Sequence, residues 1–153
     1  MISIKEFFML NISHYKIIAI GKIKKKWIQE GIEMYLKRLP GLEVKEIKDS
    51  TQLKEEYSIK EIIGKNELLV TLNENGQSFT SKQLATKLLN SHNQNISFVI
   101  GGASGLLPSL NNSASWQLSL SPLTFPHEIA RLLLIEQLYR AKSITQGGPY
   151  HKE

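Results

Sequence analysis

The run Ile96-Ser97-Phe98-Val99-Ile100, ending in Gly101-Gly102-Ala103-Ser104-Gly105, constrains this chain more than any other segment. Its β-branched and aromatic residues read as a buried strand, and the glycines behind it make a loop that a ligand can approach without side chains in the way. A second loop, Ser121 to Pro126, lies between another apolar run and a helix start. Two such loops make opposite walls of one pocket, of a kind that suits an adenine-containing ligand. A branched side chain at Gly102 would stand where that ligand approaches.

The remaining pattern sets the fold class. Strands are predicted over 15–20, 42–47, 68–72, 96–100 and 116–120, and helical spacing predicts helices over 27–39, 53–63, 81–89, 108–114 and 126–141. Pro40-Gly41, Gly64 and a turn at Asn73-Glu74-Asn75-Gly76 close three of these, and Thr80 or Ser81 caps the third helix. Strands alternating with helices predict an α/β domain with a largely parallel sheet flanked by helices. Residues 1–14 fit no part of this scheme and are expected to be an N-terminal extension, disordered or peripherally packed, ahead of a single domain over 15–153.

Composition narrows the chemistry. The chain has no cysteine, which excludes a disulfide framework, a thiolate zinc site and a cysteine nucleophile. Its histidines, His14, His92, His127 and His151, show no metal-ligand spacing, so no metal is expected. No apolar stretch is long enough to span a bilayer and no leader is evident, so a cytoplasmic protein without membrane association is expected. The formal net charge is +5, and Lys22, Lys24, Lys25 and Lys26 form its densest cluster, just behind the first strand. A basic loop beside a pocket attracts phosphates, with RNA as the natural partner; the plainer reading is a solvated turn.

The glycine loop fails the tests for common nucleotide motifs. Its spacing is not G-x-G-x-x-G, no Asp or Glu occurs between Glu74 and Glu128 to hold a ribose, and no Lys-Ser or Lys-Thr follows the glycines. The last helix is more unusual. Ile129, Leu132, Leu133, Leu134, Ile135, Leu138 and Tyr139 cover more than one stripe, so it needs burial on two sides, and a chain this short calls for a second copy to supply one of them. A homodimer is therefore expected. Glu128 with Arg131, and Glu136 with Arg140, sit at helical contact spacing; each reads as an intrahelical ion pair, or else places its arginine at the rim of a site near the dimer seam.

Taken together, Phe98-Val99-Ile100-Gly101-Gly102 with Gly105-Leu106, Leu123-Thr124-Phe125-Pro126-His127, Arg131, Leu134 to Ala141 and Pro149-Tyr150-His151 resemble the bacterial large-subunit ribosomal RNA pseudouridine N3-methyltransferases, of the SPOUT superfamily. The resemblance covers about residues 15–152, including the first strand, the lysine loop and Trp27. It implies a C-terminal trefoil knot, a homodimer, and S-adenosylmethionine held by Leu72, Gly102, Ser121, Pro122, Leu123, Thr124, Phe125 and Pro126. The substrate implied is N3 of a pseudouridine in large-subunit ribosomal RNA, on assembled ribosomes.

On that resemblance, Arg140 or Arg131 would stabilise the nitrogen anion and His151 would accept its proton. Tyr150, beyond a flexible joint at Gly147-Gly148, would stack on a base, and with His151 and the four lysines would meet the RNA. Two features depart from the pattern: the first 14 residues precede the usual start, and the segment between Ile47 and Asn66 is short. The rival readings are a non-catalytic RNA- or ribosome-binding module of the same fold, and a methyltransferase acting on another RNA nucleotide.

Overall fold

The computed structural model describes residues 9–152. Five strands form one sheet in the order β2-β1-β4-β3-β5, with every pairing parallel. These are β1 (Tyr15–Ile20), β2 (Glu43–Ile47), β3 (Glu67–Ser78), β4 (Asn95–Ile100) and β5 (Trp116–Ser119). The helices are α1 (Lys26–Leu36), α2 (Gln52–Ile62), α3 (Ser81–Asn90), α4 (Pro108–Ser113) and α5 (His127–Gln146).

Side chains alternate across each strand and so feed two cores. Tyr15, Ile17 and Ala19 of β1, with Ile96, Phe98 and Ile100 of β4, pack beneath α1, α3 and α5. Ile18, Ile20 and Val99 face the other way, onto Ile59 of α2 and Leu110 of α4. Strands covered on both faces read as nearly continuous apolar runs, which explains why β1 and β4 stand out in the sequence.

Thr80 caps α3 as expected, in a reciprocal box with Gln83. Four expectations change. α1 ends at Leu36, and Leu39 is buried in the turn that follows. α5 runs on to Gln146, where Gly147 takes the left-handed conformation and Gly147 N and Gly148 N donate to the carbonyls of Ile144 and Ser143. That is a Schellman cap, so the expected flexible joint is a fixed turn. The turn expected at Asn73–Gly76 is instead a bulge inside β3, because Leu72 and Gln77 both sit opposite Leu118 of β5 and the residues between them are displaced from the ladder. Finally, Leu10 and Ile12, assigned from sequence to the extension, are buried in the main core, so the packed domain begins before Tyr15. Residues 1–8 of that extension lie outside the described residues.

Candidate active site

The glycine loop after β4 and the loop between β5 and α5 face each other across a cavity of about 690 Å³ at the C-terminal edge of the sheet. Open parallel sheets present ligands there, because connections leave the strand ends and diverge. Of the cofactor residues expected from sequence, Leu72, Gly102, Ser121, Leu123, Thr124, Phe125 and Pro126 line the cavity; Pro122 does not. Ile100, Leu118, Leu120 and Phe125 give it an apolar floor.

The loop closes tightly on itself. Gly105 N donates to Gly102 O at 3.0 Å, and a Cβ on Gly101 would lie 2.8 Å from the Gly105 carbonyl carbon. Gly102 corrects the expectation made for it. A Cβ there would meet Ile20 Cγ2 at 3.1 Å and Asp49 Oδ1 at 3.2 Å, so a side chain would press on the end of β1 and not enter the cavity. Gln52 Nε2 steadies the loop from α2 with a 2.7 Å bond to Ser104 O.

Glu128 and Arg131 do not pair with each other. The Glu128 carboxylate accepts the backbone N–H groups of Lys24 and Lys25, and these bonds, Lys25's first, hold its carboxyl below the usual carboxylate range. Arg131 is buried, with Nη1 on Glu46 of β2 and Nη2 3.0 Å from the carbonyl of Gly21. Two fixed tertiary partners win over a neighbour one helical turn away. The effect is a clamp: α5 pins both ends of the loop that carries Lys22, Lys24, Lys25 and Lys26, whose side chains stay exposed beside the exposed ring of Trp27.

Glu136 and Arg140 do form the expected pair, at 2.6 Å, and the tail folds over it. Tyr150 Oη lies 3.0 Å from both Glu136 Oε1 and Tyr35 Oη. The Arg140 guanidinium sits 4.7 Å from the centre of the Tyr150 ring, which meets Tyr139 edge-on. Burial, then the bonds to Tyr35 and Glu136, push the Tyr150 phenol up, and Glu136 raises Arg140 further. Arg140 Nη1 is 3.1 Å from His151 Nδ1; arginine only donates, so Nδ1 accepts and the imidazole proton sits on Nε2. In this arrangement His151 offers a donor, and acting as a base requires it to leave Arg140.

With the geometry in view, the family described as predicted SPOUT methyltransferase matches residues 13–151. The chain belongs to the SPOUT methyltransferase family. A ribosomal RNA large subunit methyltransferase H of Prochlorococcus marinus (strain NATL2A) is 94% identical over 145 residues, spanning 95% of this chain and 100% of that protein. Its counterpart in Parasynechococcus marenigrum (strain WH8102) is 54% identical, over 94% of this chain and 99% of that one. A solved structure, a probable methylase family protein from Haemophilus influenzae Rd KW20, shares the fold with a TM-score of 0.60 at 12% identity, covering 94% of this chain and 72% of that one.

This SPOUT methyltransferase brings the two loops of its cavity together but keeps the proposed chemistry apart. Ala130 lines the cavity, whereas Arg140 lies ten residues further along α5, about 15 Å at the helical rise. Asn73 and Glu74 also line the cavity, and sequence reasoning missed both. The signal that would have found them, a bulge in β3, depends on β5 and is absent from any local window. Among the described residues no cluster of His, Cys, Asp or Glu is arranged to hold a metal ion, and no helix is long and apolar enough to cross a membrane.

Proposed function

We propose that this chain methylates large-subunit ribosomal RNA at N3 of a pseudouridine, with S-adenosylmethionine bound between the Gly101–Gly105 and Ser121–Pro126 loops. The observation that carries the reading is this two-walled cavity in a chain 94% identical to a ribosomal RNA large subunit methyltransferase H. The cavity fits the cofactor in size, lying within the range of small-molecule sites. It fits in chemistry as well, since the apolar floor suits an adenine and the two loops offer backbone donors and acceptors to its edge.

When bound, the cofactor supplies an activated methyl group. The chain's own task is alignment and charge. Leu72, Gly102 and the Ser121–Pro126 loop hold the donor, while Arg140 faces the developing negative charge on N3 and the oxygens beside it. His151 either donates from Nε2 to a neighbouring carbonyl or, once released from Arg140, takes the N3 proton at Nδ1. Lys22, Lys24, Lys25 and Lys26 hold phosphates around the target.

A homodimer reconciles the separation between the cavity and Arg140. Two antiparallel copies of α5 would bring the tail of one protomer to the cavity of the other. No residue of α5 is fully exposed along 127–146, and Leu133 stays half-buried beside a second, smaller cavity with Phe79 and Leu84. The C-terminal strands and loops thread a trefoil knot in this reading, and the ribosomal substrate places the protein in the cytoplasm.

The test is incubation of purified protein and labelled cofactor with ribosomes lacking the modification, followed by mass mapping. Label on a pseudouridine of the large-subunit RNA is expected. Label on another nucleotide, or cofactor binding without transfer, would replace this reading with one of its rivals.

A further inference from the structure

The bulge in β3 is fastened on every side. Asn73 Nδ2 donates to Gln117 Oε1 at 2.8 Å, and Asn73 Oδ1 accepts Asn75 N at 3.0 Å. Ser119 Oγ donates to the Glu74 carbonyl at 3.0 Å. Gly76 packs so closely that a Cβ would lie 2.7 Å from the Gln117 carbonyl oxygen. Bulges beside functional sites re-aim a side chain, and the one carried at this rim is Glu74. The bonds that fix the bulge use its backbone and leave its carboxylate uncommitted. Among the described residues lining the cavity, Glu74 is the only Asp, Glu, Lys or Arg. Beside its apolar residues and glycines the cavity is lined by Asn73, Ser104, Ser121, Thr124 and His127, so it carries a single carboxylate, mounted on a fixed stretch of backbone.

We propose that Glu74 reads the positive charge of the cofactor, favouring S-adenosylmethionine over the neutral thioether S-adenosylhomocysteine. This rests on the cofactor assignment above. In the transfer, N3 gives up its proton to a base such as His151 and the electron pair left on nitrogen forms the new C–N bond while the S–CH3 pair stays on sulfur, so the sulfonium charge disappears at the moment the methyl leaves. A carboxylate mounted on that fixed backbone holds the ligand before that event more tightly than after it. The device therefore leaves the product bound more weakly than the cofactor it came from, without any movement of the chain.

The test is calorimetry of both ligands on the wild-type protein and on Glu74→Gln. Glu74 is exposed and glutamine is isosteric, so the fold is expected to survive, with melting curves as the control. Removing the charge should weaken S-adenosylmethionine by roughly fivefold, the upper range for a partly exposed charge pair, and S-adenosylhomocysteine by less than about twofold. Added salt should shrink the preference of the wild-type protein and leave that of the variant unchanged. Equal losses for both ligands, or no loss for either, would overturn the inference while leaving the cofactor assignment intact. Failure of the wild-type protein to bind either ligand would overturn the assignment and the inference with it.

Discussion

Replacing Arg131 by Met separates a structural role for this residue from the catalytic role its sequence context proposes. The buried carbonyl of Gly21 loses a charged donor at 3.0 Å, a loss of about 1.5–3 kcal/mol. The bond to Glu46 is worth less, under about 1 kcal/mol, because the Glu46 side chain is 42% exposed and water replaces its partner. Two terms oppose these. Methionine preserves the packing of the aliphatic stem, and the variant no longer buries Arg131 Nε, which has no hydrogen-bond partner; its removal returns about 1 kcal/mol. The net is a destabilisation of about 2 kcal/mol, or a fall in Tm of roughly 4–8 °C for a chain of this size. Thermal and urea denaturation at one fixed protein concentration measure it, alongside cofactor calorimetry, which should change little. A variant with unchanged Tm and abolished methyl transfer would refute the structural reading and return Arg131 to the reacting atoms.

Leu133→Asp should convert the proposed dimer to a folded monomer by light scattering, whereas Ile135→Asp should fail to fold at all, since Ile135 is wholly buried within its own chain and an unpaired charge there costs several kcal/mol, of order 3 or more. Deleting residues 150–153 should leave dimerisation and cofactor binding nearly intact and greatly reduce methyl transfer to ribosomes; full activity would remove the tail from the mechanism. The clamp at Glu128 has a signed pH dependence. Its carboxyl is lowered from 4.5 in the fold, so its stabilising contribution is complete above that value and is lost as pH falls through the folded value. The Tm difference between wild type and Glu128→Gln should accordingly be largest near neutral pH and vanish in acid; a constant difference across that range would count against the clamp.

The alternation of strands and helices was legible because each element announces itself within a short window. Ile17 and Phe98 sit in runs buried on both faces, and Thr80 with Gln83 spells out a helix start. The loops of the cavity were legible for another reason, since their glycine and proline content is dictated locally by backbone geometry. What escaped depended on partners far away in sequence. Helical spacing pairs Glu128 with Arg131, yet their real partners are Lys24, Lys25, Glu46 and Gly21 on the opposite side of the chain. The tail owes its order to Tyr35 on α1, and the bulge that carries Glu74 exists only because β5 runs alongside β3. Local propensity shows that a residue is available for a bond, and tertiary packing decides which bond it makes.

The strand order carries a consequence for how the chain is made. Among the described strands β1 leaves the ribosome ahead of the others, and it finds β2 soon after. Its other edge waits for β4, where Tyr15 aligns with Ile96. β3 emerges into the same delay and is completed only when β5 follows. Until then, nascent chains expose open, apolar strand edges of the sort that recruit one another. Pairings this distant in sequence also make folding slow compared with a helical bundle of equal length. The arrangement that sets two loops face to face at the edge of the sheet thus also keeps the newborn protein dependent, for most of its synthesis, on being kept apart from its siblings.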